Sequence, residues 1–292
     1  VHRFSVLAVA IAVFSLTAKP AGADTTPQLT SGPPPGATSS AAPVAALPDP
    51  CSNINAYVSR PSVSSSVCAV KAGQVVLESG YSSTTTTGAG ANSTSNVPQS
   101  FIHIGIGPRI EIDLTPPSAE IMNNGIARTS GTSDIGVGFK ALLGYSSRAV
   151  YGFGLSMTMP TGSAAFTNGA DTYELILNGA YTLTRQISLF GTVGFTSLNG
   201  TDANGKSVRF GSFVPSTGAA YALPSNWYVY VEGADLGKAS PNAGSRGFVD
   251  YGVQKVCGRV QFDAEVGNGL NAVNGSRFHD VGFGVSALFG TN

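Results

Sequence analysis

The acidic residues of this chain recur at every second position of apolar runs. Glu111 and Asp113 alternate with Ile110, Ile112 and Leu114, and Asp263 and Glu265 alternate with Phe262, Ala264 and Val266. Asp134, Glu174, Glu232, Asp250 and Asp280 occupy the same phase in other runs, together with Lys140, His103 and, next to short turns, Arg109 and Arg259. Carboxylates spaced by two can serve general acid–base chemistry only beside a partner of suitable basicity. On the walls of an enclosed polar space they instead mark an ion or solute path.

The partners that acid–base chemistry needs are missing. Beyond residue 23 the chain has only His103 and His279. Neither stands in the His-x-Ser spacing of barrel phospholipases, so no nucleophile–base pair is expected. His279 and Asp280 are adjacent on a strand and so point to opposite faces. Cys51, Cys68 and Cys257 form no Cys-x-x-Cys pair and have no nearby His, which excludes a zinc site. Asn199–Gly205 has the look of a calcium loop but lacks the closing bidentate Glu. The sequence therefore predicts no enzyme, no cofactor and no metal, with the acids and Arg109, Lys140 and His103 lining a lumen.

Elements with side chains alternating between two faces must carry these residues. Ile135, Val137, Phe139, Ala141 and Leu143 oppose Asp134, Gly136, Gly138 and Lys140, and similar alternation runs through residues 149–160, 171–183, 226–236, 246–256 and 278–290. This is period two, not 3.6. Many runs reach or exceed the 9–11 residues with which a tilted strand crosses a bilayer. Twelve strands are expected, at 73–84, 97–106, 109–115, 131–145, 149–160, 171–183, 187–198, 206–223, 226–236, 246–256, 259–267 and 278–290. Short turns such as Ser146–Arg148 and Cys257-Gly258 alternate with longer polar loops near 85–96, 116–130, 161–170, 199–205, 237–245 and 268–277, as in outer-membrane barrels. Tyr145, Tyr151, Tyr181, Tyr221 and Trp227 flank the short turns, where an aromatic girdle belongs. The fold expected is all-β, a closed antiparallel transmembrane barrel in the bacterial outer membrane with both termini periplasmic. A soluble sandwich with its apolar face inward is the competing architecture.

Composition agrees. Charged residues make up 11% of the chain, against roughly 25% in ordinary soluble domains. Basic and acidic residues number 16 each, so no basic excess exists to neutralise the phosphates of a nucleic acid. Residues 1–23 read as a secretory signal peptide, and the Pro/Ala/Ser-rich stretch 24–50 as a linker. Residues 51–72 form a lead-in or plug in which Cys51 and Cys68 can close a disulfide in an oxidising compartment. The barrel occupies 73–292.

Several segments carry a family resemblance: Arg60-Pro61-Ser62, Gly73–Tyr81, Gly107–Leu114, Ser133–Lys140, Met159–Gly162, Val231-Glu232-Gly233, Asp250–Val253 and Gln261–Gly267, in that order. Over about residues 60–292 the chain resembles the outer-membrane transporter family labelled for phenol-degradation meta-pathways. The resemblance implies a small outer-membrane barrel with an uptake role, in contact with outer-membrane lipid, passing a small-molecule solute, and folded by the barrel-assembly machinery. Two functions follow: a channel with an acid-rich lumen, or a structural barrel whose lumen is filled by side chains.

Overall fold

The computed structural model describes residues 49–88, 90–272 and 276–291. The signal-peptide expectation and nearly all of the linker fall outside these residues.

Among the described residues there are fourteen strands: β1 (Gln74–Gly88), β2 (Asn92–Gly105), β3 (Ile110–Thr115), β4 (Ala119–Asn123), β5 (Arg128–Thr132), β6 (Ile135–Tyr145), β7 (Ala149–Met159), β8 (Thr172–Thr182), β9 (Ile187–Thr201), β10 (Ser207–Leu223), β11 (Trp227–Lys238), β12 (Ser245–Cys257), β13 (Val260–Gly269) and β14 (Ser276–Gly290). All pairings are antiparallel. The sheet closes because β1 bonds to β14 on one side, from Gln74↔Gly290 to Gly88↔Ser276, and to β2 on the other.

The wall has twelve staves, because two of them are interrupted. β2 pairs with β3 through Ile102↔Leu114 and with β4 through Val97↔Ala119, in one unbroken register. β3 and β4 are thus one stave, broken at Pro116-Pro117, whose prolines have no N–H for the ladder. β5 and β6 form the neighbouring stave, broken at Ser133-Asp134, where the Ser133 N–H still reaches the Ser118 carbonyl at 3.0 Å.

The closed twelve-stave barrel agrees with the alternation, but two boundaries move. The polar stretches near 85–96 and 116–130, expected as loops, are largely strand. The ends of β1 and β2 carry Ser, Thr and Asn on both faces, and β4 has Ile121 beside Met122, so none shows the apolar alternation that marks a strand in hydrocarbon. β-Branched Thr84 to Thr87 nevertheless favour the extended backbone. The turns on the other side are as short as expected. The tightest, between β12 and β13, bends at Gly258 with φ of 65°, a conformation that side chains disfavour.

Burial separates a membrane barrel from a sandwich. Phe283, Phe195 and Phe262 are 60%, 56% and 52% exposed, whereas Glu78, Glu111, Glu232 and Asp250 are 0% exposed. A soluble sandwich would show the reverse. Large apolar groups on the outside and carboxylates on the inside are stable only when hydrocarbon replaces water around the wall. Tyr145, Tyr151, Tyr221 and Trp227 are exposed, and Tyr181 partly so, at the short-turn ends of their strands.

Candidate functional site

The barrel interior is organised around residues 49–72, which enter it at the short-turn end. The Cys51–Cys68 disulfide closes this segment on itself. A short 3-10 turn, Ile54–Ala56, starts it. Ile54, Tyr57, Val58, Val67 and Val70 are buried and form an apolar cluster with inward-facing Val76, Leu142, Val150 and Val256 of the wall. Partly buried Ala180, Tyr228 and Leu288 join them. This small core explains why the polar phase of several strands turns apolar just at the short-turn end. The Tyr57 hydroxyl donates to the Cys51 carbonyl at 2.5 Å. Burial, reinforced by the Asp49 and Glu111 carboxylates, pushes the Tyr57 phenol up to about 12.

Above that core the segment is held by carboxylates from three separate strands. Glu78 on β1 accepts the N–H groups of Ser59 and Arg60 at 2.8 and 2.9 Å. Glu232 on β11 accepts those of Val63 and Ser64 at 2.8 and 2.9 Å, together with the Ser64 hydroxyl. Glu111 on β3 accepts the Val70 N–H. Each buried charge thus satisfies backbone donors that would otherwise be orphaned in the interior.

Arg60 is the segment's buried cation. Its guanidinium bonds Gln99 and lies 3.4 Å from Asp263. It rests on the β1–β14 wall at Gly80 and Gly284, where any Cβ would collide with it. Its carbonyl accepts from Gln254 Nε2 at 3.2 Å. Asn178 Nδ2 donates to the Ser66 carbonyl at 2.7 Å, and Lys140 Nζ to the Ser66 hydroxyl at 2.6 Å.

The residues expected to line a lumen therefore divide. Glu111, Lys140, Glu232 and Asp263 bind the segment. His103 and Asp113 join Glu111 and Lys140 in one network: His103 Nε2 lies 2.8 Å from Glu78, His103 Nδ1 2.5 Å from Asp113, and Lys140 Nζ 2.5 Å from Glu111. Asp250 accepts the Tyr230 hydroxyl at 2.8 Å, with the same hydroxyl 3.5 Å from Glu265, and Asp280 accepts that of Thr84 at 2.5 Å. Glu174, half-buried, makes no hydrogen bond to the segment and borders open cavities.

Three expected lining residues have other roles. Arg109 is exposed in the turn before β3, its guanidinium 5.8 Å above the Tyr145 ring, because a turn residue escapes the strand's alternation. Arg259 likewise sits exposed in a turn and reaches the Gly290 carbonyl. Asp134 anchors a loop: its carboxylate accepts the N–H groups of Gly162 and Asn168 at 2.8 and 2.9 Å. Burial opposes ionisation there, but those N–H groups hold the Asp134 carboxyl below its usual value.

His103, Glu111 and Asp113 offer ligand atoms within 4.8 Å of one another. The arrangement suits charge pairing better than a metal: both ring nitrogens already face carboxylates, and the Lys140 ammonium stands where a dication would be repelled. Glu78, Arg60, Gln99 and Gln254 are not among the lining residues expected from the sequence. Glu78 shares its phase with Val76 and Gly80, opposite outward Leu77 and Tyr81, so the alternation of β1 already marked it.

No protein-family profile matches the chain, and no curated protein matches it. Among solved structures the chain is similar to the COG4313 outer membrane channel from Pseudomonas putida F1, with a TM-score of 0.55 and 12% identity over 78% of this chain and 100% of that one. The fold is that of an outer-membrane barrel. Weaker likenesses run to the NanC porin (TM-score 0.49, 10% identity, 73% of this chain and 98% of that one) and to the KdgM porin in complex with disordered oligogalacturonate (0.45, 13%, 72% and 98%).

Proposed function

We propose that this chain is an outer-membrane channel for small molecules whose lumen is narrowed from the periplasmic side by residues 49–72. Both termini then lie in the periplasm, and the barrel-assembly machinery inserts the chain. The observation that carries this reading is the seating of the segment: carboxylates on β1, β3 and β11 accept its backbone N–H groups, while cavities of about 490 Å³ and 430 Å³ stay open beside it. A barrel built only as a scaffold has no need of open polar space next to a specifically bonded insert. The acid-rich inner surface thus acts chiefly as a socket. The test is planar-bilayer recording of the folded full chain. Discrete conductance steps smaller than an empty twelve-stave barrel would give support the reading. A folded, inserted barrel without steps would favour a structural barrel with a filled lumen.

A further inference from the structure

The segment does not fill the barrel evenly. Its bonds to charged wall groups go to β1, β3, β6, β11 and β13. Toward β8, β9 and β10 its hydrogen bonds are only to small polar groups: Asn178 holds the Ser66 carbonyl at 2.7 Å, and the Ser64 and Ser216 hydroxyls meet at 2.6 Å. Two cavities lie along this side. One, of about 490 Å³, faces the long-loop end and is bordered by Thr192, Ser216 and Ser65. The other, of about 240 Å³, faces the short-turn end and is bordered by Ser188, Ala220 and the same Ser65. Ser188 and Thr192 share one face of β9, and Ser216 and Ala220 one face of β10, so the cavities follow one another along the same wall.

Between them the interior holds unspent polar capacity. Thr192 is 7% exposed and its hydroxyl has no hydrogen-bond partner among the described residues; Asn178 is 1% exposed and its side-chain carbonyl also has none. Buried polar atoms without partners are rare, and each calls for water or a passing ligand. Charges of both signs, including Glu174, Asp235, Lys238 and Arg246, border the wider cavity. None borders the cavity at the short-turn end.

We propose that solutes cross along the β8–β10 wall, past Thr192 opposite Ser65, between the Asn178–Ser66 and Ser216–Ser64 hydrogen bonds, and that this hydroxyl-lined passage selects small neutral polar molecules. The proposal rests on the channel reading and deepens it. Hydroxyl and amide groups replace part of a solute's hydration, as carbonyls do in filters, while the nearest charges, Glu232 and Lys140, are already engaged with Val63, Ser64 and Ser66 and compensate an ion that sheds water there only weakly.

The experiment uses the full chain with Cys257, an exposed thiol at the end of β12, changed to Ser. Folded barrels, verified by heat-modifiable migration, are compared in planar bilayers and in liposome swelling with glycerol and arabitol. The proposal expects uptake of these polyols and weak ion preference in the parent. Thr192→Trp is expected to lower both conductance and swelling at least threefold, and Thr192→Asp to shift the reversal potential toward cations. Should Thr192→Trp not fold, Thr192→Cys folded first and then capped by a bulky neutral thiol reagent must give the same block. A conducting parent whose Thr192 variants keep its conductance and selectivity overturns this route while leaving the channel reading intact. A parent that neither conducts nor swells overturns the channel reading and this proposal with it.

Discussion

At the scale of residues, the interior acids matter for what they hold. Arg60 shows how closely wall and segment fit. A Cβ at Gly284 would stand 2.6 Å from Arg60 Nε and 2.9 Å from the Ser79 carbonyl oxygen. Gly284→Ala should therefore unseat the guanidinium as Arg60→Ala does. Each should cost about 1.5–3 kcal/mol of the segment's hold, the scale of hydrogen bonds to a charged group. Conductance measured for the two single variants and the double should show the double no more open than either single. Tyr57 gives the pH dependence. Its phenol ionises near 10 when unfolded and at about 12 in place. The neutral form is the one that fits, so this contribution is whole below pH 10 and fades as pH rises toward 12. Protease sensitivity of residues 49–72 should rise over that window in the parent. Tyr57→Phe, with no proton to lose, should lack that alkaline step while starting from a weaker hold. An identical step in both chains would assign it to another group.

At the scale of elements, the strands were legible because hydrocarbon on one side and a polar interior on the other force period two. Ile110–Leu114 and Val260–Val266 announce themselves this way. The ends of β1 and β2, with Ser, Thr and Asn on both faces, and the β4–β5 hairpin, with adjacent Ile121 and Met122 and a polar β5, did not: neither leaves a periodicity to read. The segment was legible in outline through its two cysteines, but its seat was not. Nothing local to Glu232 says that it will meet Val63 and Ser64, some 168 residues away in the chain. That contact arises only when the barrel closes. The disulfide spans 17 residues, a loop for which chain-entropy estimates give about 3 kcal/mol. Replacing Cys51 and Cys68 by Ser should leave the barrel heat-modifiable, since no strand depends on the bond, while raising open-state conductance. A barrel that no longer folds would show that the segment nucleates the wall instead of occupying it.

At the scale of the whole molecule, the inversion of burial decides the architecture. Phe283, midway along β14 and 60% exposed, faces lipid. Phe283→Arg should cost about 2–4 kcal/mol in bilayer-folding equilibria, the depth-dependent penalty for a midplane charge. An unchanged folding free energy would place this face in water. The barrel interior then combines a charged sector that holds residues 49–72 with a sector along β8–β10, lined by hydroxyls at its narrow part, that the segment leaves partly open. Both follow from the position of that segment, and its position can be measured directly. With Cys257 changed to Ser, the pair Ser64→Cys and Ser216→Cys replaces two hydroxyls 2.6 Å apart. Mass spectrometry of the folded barrel should find this pair joined, alongside the intact Cys51–Cys68 bond. A folded barrel in which residues 64 and 216 stay unlinked under oxidation would contradict the account, because the segment would then lie elsewhere than inside the wall.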